Sequence, residues 1–287
     1  MVNSATSSTT VTLHYGVLPA DGSRPEYTVL SKADPVTGEF NSRNYGSEPK
    51  TVVIENVRGK EESVSLDTTG FQFFKQASKL TPDSFTNEDT IKTQYYSESV
   101  ELIKKLTGAT RVEIFDHTIR HRGPVDNSKE DRPRKYQPVA QAHVDQSSSA
   151  AVARVHRHLP AADVPKLLEK RFQIINLWRP IEYPAYDWPL ALCDYRSVDP
   201  KKDVFDIAFI YPDREGQTYG VTYNENHKWK YLRGMTPEEF VLIKCFDSVQ
   251  DGSVAVFTPH TGFEDPTTPP EALPRQSIEI RTLVFYD

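Results

Sequence analysis

Short runs of β-branched and aromatic residues recur along the chain, and each is bounded by Gly, Pro, Asn or Asp. Such runs are typical of β-strands, because branched and aromatic side chains pack well on a pleated surface while the bounding residues favour turns. The 21 prolines suit the turns and protect strand edges. We therefore predict strands over residues 11–17, 51–57, 111–119, 172–178, 204–211, 218–223, 253–257 and 277–286.

Three segments carry helix signals instead. Residues 87–107 place apolar residues at helical spacing, with acidic residues early and lysines late, which complements the helix dipole. Residues 147–158 begin with a serine cap. Residues 236–246 open with Thr-Pro-Glu-Glu, which offers an N-cap, a proline in the first turn and a glutamate at the capping-box position. Many strands with few helices predict a mainly β fold, a sandwich or barrel with flanking helices.

The domain organisation predicted from this pattern is simple. Residues 1–10 are rich in Ser and Thr and are predicted to be a disordered N-terminus. Residues 11–287 then form a single domain, a length that all-β folds reach. The charged stretch 120–135 is predicted to be a surface loop and not a domain boundary.

Composition excludes several classes of protein. The net charge of −6 disfavours a nucleic-acid partner, since such binding rests on clustered Lys and Arg. No apolar stretch approaches the roughly 20 residues that span a membrane, and the N-terminus lacks the basic and apolar regions of a signal peptide. Two cysteines are too few for a disulfide scaffold. We expect a soluble, cytoplasmic protein without a membrane or nucleic-acid partner, as a monomer or homodimer.

A His-x-Asp motif, His143 and Asp145, lies in the segment 138-PVAQAHVDQS-147. On an extended strand, residues i and i+2 face the same way, so the imidazole and the carboxylate project together. A third ligand from elsewhere would complete a site of the non-haem iron(II) type, with positions left open for a co-substrate and dioxygen. His260, at the end of a predicted strand, is the preferred third ligand.

Each ligand also has a plainer interpretation. His143 could be a hydrogen-bonded core histidine with Asp145 capping the helix that follows, and His260 could be a turn residue after a proline. His227, beside two aromatic residues, is the main rival as third ligand. The remaining histidines are less favoured, because they lie in a strand-to-loop segment or in an Arg-rich helix end: His117, His121, His156 and His158.

The last predicted strand carries Arg275, Ser277 and Arg281, whose even spacing places them on one face. An arginine that points into a barrel must find an anion, because an unpaired buried charge is very costly. The distal carboxylate of 2-oxoglutarate would form a bidentate salt bridge with it. Alternatively, Arg281 forms an ordinary ion pair with Glu279 or Asp287.

The order of these features resembles the iron(II)/2-oxoglutarate-dependent dioxygenases. An HxD motif, a distant histidine and an arginine about 10–20 residues later on the last strand are shared with that superfamily. Longer strings are similar to the fungal AsaB-like or gibberellin-desaturase-like hydroxylases and desaturases, over most of the chain from about residue 50. These strings are 140-AQAHVDQSSSAA-151, 176-NLWRPI-181, 188-WPLALCD-194, 223-YNENHKWKYLRGMTPEEFVLIKCFDS-248 and 256-VFTPHTGFEDPTTPPEALPRQSIEIRTLVFYD-287.

The resemblance implies a double-stranded β-helix (jelly-roll, cupin-like) core and oxidation of a small-molecule substrate in secondary-metabolite biosynthesis. It implies Fe(II) as the metal, 2-oxoglutarate and dioxygen as co-substrates, and hydroxylation, desaturation, cyclisation or endoperoxidation as the outcome. Carried onto this sequence, the ligands are His143, Asp145 and His260. The co-substrate residues are Arg275 and Arg281, assisted by Ser277, with a further group on one strand that could line the cavity: Asn176, Trp178 and Arg179.

Trp178 and Arg179 could serve packing and a surface ion pair instead of a cavity. His117, Arg120 and His121 could orient a polar or acidic substrate group, or could lie in a surface loop. Three functional alternatives remain beside the one that the resemblance implies. An iron oxidase that uses dioxygen without 2-oxoglutarate would need neither arginine for turnover. A non-catalytic small-molecule-binding barrel would hold no metal, and nucleic-acid repair, suggested by the paired arginines, conflicts with the acidic charge balance.

Overall fold

Two β-sheets make up most of the protein. The computed structural model describes residues 7–30, 41–122 and 137–287. A ten-stranded sheet has the strand order β1-β4-β12-β9-β14-β7-β11-β10-β2-β3, and a five-stranded sheet has the order β5-β13-β8-β15-β6. The strands are β1 Ser8–Val17, β2 Glu26–Val29, β3 Asn41–Arg43, β4 Gly46–Asn56, β5 Phe71–Lys75, β6 Arg111–His121, β7 His143–Val144, β8 Phe172–Pro180, β9 Leu190–Cys193, β10 Val204–Ile210, β11 Glu215–Val221, β12 Trp229–Tyr231, β13 Glu239–Asp247, β14 His260–Gly262 and β15 Gln276–Phe285.

The helices flank these sheets, as the sequence predicts. The predicted helix over 87–107 is a continuous helical run that includes one π-helical turn, with Asn87 capping its start and Gly108 (φ 74°) ending it. Ser147 caps the second helix by accepting a hydrogen bond from the backbone N–H of Ala150. The helices are α1 Glu88–Thr90, α2 Tyr96–Thr107, α3 Ser148–His158 and α4 Val164–Leu168, with the π turn at Ile91–Tyr95 and 3-10 turns at Glu61–Ser63, Pro82–Thr86 and Tyr195–Ser197.

The predicted helix over 236–246 is wrong, because this segment forms strand β13. Its capping-box signal is nevertheless used, since the Thr236 backbone N–H donates to the Glu239 carboxylate at 2.8 Å and closes a turn before the strand. β13 lies between β5 and β8 and hydrogen-bonds to both. Its buried, largely apolar residues gain more from this central position in the sheet than from local helix propensity.

Seven of the eight predicted strands are confirmed, with their ends displaced by up to five residues. The exception is 253–257, which has no regular strand and enters the core as an extended loop held by the hydrogen bond from Ala255 N–H to the Asp67 carbonyl. The prediction of disorder over residues 1–10 is wrong for Ser8–Thr10, which belong to strand β1. Residues 1–6 lie outside the described residues. In the predicted loop 120–135, β6 continues to His121, and residues 123–136 also lie outside them.

The core between and beside the sheets consists of two apolar clusters. The larger cluster joins β8, β13 and β15 to the helices and reaches Leu192 on β9 of the other sheet. The smaller cluster fills the ten-stranded sheet around Trp229 and Phe257. The two sheets therefore share one hydrophobic interior along part of their faces. Within the described ranges, no helix is long and apolar enough to cross a membrane.

Candidate metal centre

Two neighbouring strands bring the three predicted ligands together. His143 on β7 and His260 on β14 are direct partners across the antiparallel pair, and their ring centroids are 4.4 Å apart. Asp145 follows two residues after His143, on the same side of the extended segment. One ligand atom from each of the three residues lies within 4.8 Å of the others. The predicted rival His227 is elsewhere, with its Nε2 3.1 Å from the Asp203 carboxylate.

Both histidines are held in the same tautomer. Nδ1 of His143 lies 2.8 Å from the Gln141 carbonyl oxygen, and Nδ1 of His260 lies 3.0 Å from the Thr258 carbonyl oxygen. A carbonyl can only accept, so each Nδ1 carries a proton and Nε2 is the nitrogen available to a metal ion. This pattern, in which the backbone fixes the ring that ligates through its other nitrogen, is typical of metal-binding histidines.

The two carboxylate oxygens of Asp145 have different surroundings. Oδ1 faces the two imidazoles, 3.4 Å from His143 Nε2 and 3.8 Å from His260 Nε2. Oδ2 accepts hydrogen bonds from Arg281 Nε at 2.9 Å and from Asn176 Nδ2 at 2.7 Å. Oδ1 is therefore the oxygen available to a metal ion, while Oδ2 fixes the orientation of the carboxylate.

The protonation states suit metal binding. Burial raises the pKa of the Asp145 carboxyl, but Arg281 and the two histidines outweigh burial and hold it well below the usual range. Burial lowers the pKa of His260, and the neighbouring His143 lowers it further. The site therefore offers a carboxylate and neutral imidazole near neutral pH.

Glu279 is a site residue that the sequence interpretation treated only as an ion-pair partner. It lines the same cavity as the three ligands, and its carboxylate accepts a 2.6 Å hydrogen bond from Asn176 Nδ2. Arg281 Nη2 lies 3.5 Å from the Glu279 carboxylate, so the ion pair considered above is present together with the bond to Asp145. Glu279 lies four residues after Arg275 and two before Arg281. This even spacing places all three residues on one face of an extended strand, so the sequence contained a signal for Glu279 as a site residue.

Arg281 is consequently engaged with protein anions, whereas Arg275 is not. Arg275 is buried and lines the cavity, and its Nη1 donates to the Trp188 carbonyl at 2.5 Å. Its guanidinium carbon lies 5.5 Å from the centre of the Trp178 ring. Within the described part of the chain, no carboxylate forms an ion pair with Arg275 and its Nε has no hydrogen-bond partner. Burial lowers the pKa of Arg275 to about 9, so an anion would stabilise its charge.

The remaining predicted residues divide between the two faces of their strands. Trp178 lines the cavity, and Asn176, on the same face of β8, donates to the lining residues Asp145 and Glu279. Arg179 faces the opposite way: its Nη1 donates to the Gln76 and Pro237 carbonyls. Strand alternation explains this correction, since adjacent residues point to opposite faces.

Ser277 lies between Arg275 and Glu279 on the cavity face of β15, and it is 1% exposed but does not line the cavity itself. Arg120, for which the sequence left open a surface loop or a role in orienting a polar substrate group, lines the cavity. Burial lowers its pKa, and its Nη1 donates to the Gln137 carbonyl at 2.8 Å. Further lining residues that the sequence did not single out are Val139, Leu190, Ile243, Thr261 and Gly262.

The donor set fits iron(II). Two imidazole nitrogens and one carboxylate oxygen converge, each fixed by a second hydrogen bond, and this combination of donors is typical of non-haem iron oxygenases. The neighbouring buried Arg275, which forms no ion pair with any described residue, fits a dianionic co-substrate.

Comparisons with known proteins agree with the site. A family model described as "Oxidoreductase/YMDC permease-like domain" matches residues 13–285. The chain is 36% identical to hydroxylase/desaturase CTB9 of Cercospora beticola, over 84% of this chain and 78% of that protein. It is 34% identical to hydroxylase/desaturase efuI of Hormonema carpetanum, over 100% and 98%. The solved structure of the iron and alpha-ketoglutarate-dependent endoperoxidase NvfI superposes with a TM-score of 0.83 at 27% identity, covering 98% of this chain and 99% of that one.

The fold and the centre together define an oxidoreductase with a double-stranded β-helix core, as predicted. The chain belongs to the fungal hydroxylase/desaturase family within the iron(II)/2-oxoglutarate-dependent dioxygenases.

Proposed function

We propose that this protein uses iron(II), 2-oxoglutarate and dioxygen to oxidise a small molecule in fungal secondary-metabolite biosynthesis. The observation that carries the proposal is the convergence of His143 Nε2, His260 Nε2 and Asp145 Oδ1 in one cavity with Arg275. Iron(II), once bound with its co-substrates, would supply the oxidising chemistry that no side chain can perform. The outcome is hydroxylation, desaturation, cyclisation or endoperoxidation of the substrate.

The residues of the chain have separate tasks in this proposal. The three ligands hold the metal, and the Asn176–Arg281 pair holds the orientation of Asp145 through its Oδ2. Arg275 binds the distal carboxylate of 2-oxoglutarate, because it is the buried cation on this strand that has no ion-pair partner among the described residues. Burial around the centre limits access of water, which strengthens each of these polar contacts.

The setting of the enzyme follows from the same features. We propose a single oxygenase domain over residues 11–287 that acts in the cytoplasm as a monomer or homodimer, without a membrane or nucleic-acid partner. Both cysteines, Cys193 and Cys245, are free and buried, which supports a reducing compartment. The shared interior of the two sheets supports one domain.

Anaerobic addition of iron(II) and then 2-oxoglutarate to the protein tests the co-substrate. A weak visible charge-transfer band should appear as the keto acid joins the iron, and His143→Ala should abolish it. Absence of the band with iron demonstrably bound would remove 2-oxoglutarate from the proposal. Turnover without 2-oxoglutarate would favour the iron oxidase, and failure to bind iron would favour the non-catalytic barrel.

A pair of variants tests the assignment of the two arginines. Arg275→Ala should weaken 2-oxoglutarate binding by at least roughly tenfold, as expected when a charged partner of a buried carboxylate is removed, and should leave the affinity for Co(II) in the absence of 2-oxoglutarate near that of the wild type. Isothermal titration with each ligand separates the two effects. A loss of Co(II) affinity in Arg275→Ala equal to the loss of 2-oxoglutarate affinity would contradict the assignment.

A further inference from the structure

We propose that Trp188, held in a strained backbone conformation, is a positioning residue for the co-substrate anchor. Its carbonyl oxygen accepts the hydrogen bond from Arg275 Nη1 at 2.5 Å and thereby sets the direction of the guanidinium. This inference rests on the proposed role of Arg275 and adds a determinant of co-substrate affinity that makes no contact with the metal ligands.

The backbone of Trp188 is unusual for its side chain. Its φ of 46° is positive, and within the described residues Trp188 alone among non-glycine residues has a positive φ. The left-handed region costs an ordinary residue about 1–2 kcal/mol, because Cβ crowds the carbonyl oxygen. Such strain persists where the surroundings hold it and is concentrated at functional sites. The following Pro189 further restricts the conformations of Trp188.

The surroundings of Trp188 supply that restraint. Arg122 places its guanidinium carbon 5.3 Å from the centre of the Trp188 ring and forms an ion pair with Asp187. The other Asp187 oxygen accepts the backbone N–H of Arg275 at 3.1 Å. Two consecutive residues of the β8–β9 loop therefore hold the backbone and the side chain of Arg275, and Arg122 holds those two residues in place.

This arrangement matters because Arg275 has few other polar contacts. Its Nε has no hydrogen-bond partner among the described residues, and its guanidinium carbon lies over the Trp178 ring. A guanidinium with one hydrogen bond to the protein can turn about its long side chain, whereas bidentate binding of a carboxylate requires one orientation. The Trp188 carbonyl restricts that rotation before the ligand arrives, which lowers the entropic cost of binding.

Trp188→Gly and Trp188→Ala form a matched pair that tests the inference. Both variants lose the indole ring with its contact to Arg122, and they differ only in whether the residue adopts positive φ without strain. We expect Trp188→Ala to bind 2-oxoglutarate roughly fivefold more weakly than Trp188→Gly, equal to about 1 kcal/mol. The dissociation constants are measured by anaerobic titration of the iron(II) protein, and in turnover the difference should lie in the KM for 2-oxoglutarate and not in kcat.

2-Oxobutyrate provides the control, since it carries the same keto acid but lacks the distal carboxylate. Its affinity should not differ between the Ala and Gly variants. The inference is overturned if the two variants bind 2-oxoglutarate equally, whether both resemble the wild type or both are weakened, or if 2-oxobutyrate shows the same difference. If 2-oxoglutarate does not bind the wild-type protein at all, the proposed function fails instead, and the two failures are thus distinguished.

Discussion

At the scale of single residues, the centre depends on how the two oxygens of Asp145 are used. Sequence spacing was sufficient to find Asp145 and His143, because alternation along a strand is a local property. It could not show that Asn176 and Arg281 both donate to Oδ2, since these residues are direct partners on adjacent strands β8 and β15 far along the chain. The roles of Arg275 and Arg281 likewise depend on which anion each one meets in the folded protein.

Removal of Arg281 should therefore weaken metal binding more than co-substrate binding. Arg281→Ala leaves Asp145 with one donor on Oδ2 and removes the ion pair between Arg281 and Glu279. Loss of such a supporting contact typically costs about 10–100-fold in metal affinity. Titration of the apoprotein with Co(II), followed by its visible absorption, measures this loss. Unchanged Co(II) affinity would show that Arg281 does not orient the carboxylate.

At the scale of elements, strand β13 shows where local signals are insufficient. Its first residues form the contacts of a helical capping box, yet the segment becomes a central strand because it fits between β5 and β8. For helix α3, in contrast, the local signal was sufficient, because the Ser147 cap predicted from the sequence is present in the structure. That cap also ends the segment carrying Asp145, so the start of α3 anchors the ligand loop to a rigid element.

Ser147→Ala should lower the free energy of unfolding by about 1 kcal/mol, because it removes the cap on the Ala150 N–H. The hydrogen bond from Ser147 Oγ to Gln217 at 2.5 Å is lost as well. Urea unfolding followed by far-UV circular dichroism measures the change, with Glu101→Ala on the exposed face of α2 as a control. Equal stability of the two variants would argue against the cap.

At the scale of the whole molecule, a charge cluster around the buried Asp247, at the paired ends of β8 and β13, links stability to pH. Asp247 accepts hydrogen bonds from Lys244 at 2.8 Å, Arg171 at 2.6 Å and Gln173 at 2.7 Å, and Lys244 also contacts Asp67. Burial raises the pKa of Asp247, but Arg171 and Lys244 outweigh burial and lower it below the usual value. Its charged form is therefore favoured by folding.

The sign of the effect follows from that lowered pKa. A carboxyl that is more acidic in the folded state than in the unfolded chain, where its pKa is about 3.9, contributes stability above that value and loses the contribution as pH falls through the folded pKa. The wild type should lose stability steeply below about pH 4. Asp247→Asn should be less stable at pH 7 by about 3 kcal/mol, because Lys244 loses its buried partner, and should show a shallower acid dependence. Urea unfolding measured from pH 7 to well below about pH 4 gives both the stability difference and the acid dependence. Parallel pH curves for the wild type and Asp247→Asn would contradict the argument.

The existence of most strands was more predictable from the sequence than the pairing between strands. Turn-bounded runs of β-branched residues predicted most strands correctly, because that signal is local. The short strands β9 and β14 were not predicted, since three or four residues contain too little pattern and their pairing depends on the neighbours. Strand β7 was expected only through its His-x-Asp motif. Strand β7 carries His143 and strand β14 carries His260.

The fixed tautomers of those two histidines have a consequence for which ion the protein carries. A pocket whose lone pairs are already aligned accepts any divalent ion of similar size with little rearrangement. The affinities of such nitrogen and oxygen donors rise along the first transition row from manganese to copper, so cobalt, nickel, copper and zinc should all outcompete iron in the test tube. Iron is then selected by its supply in the cell and not by the affinity of the pocket. Traces of those other ions should inhibit the enzyme until a chelator removes them.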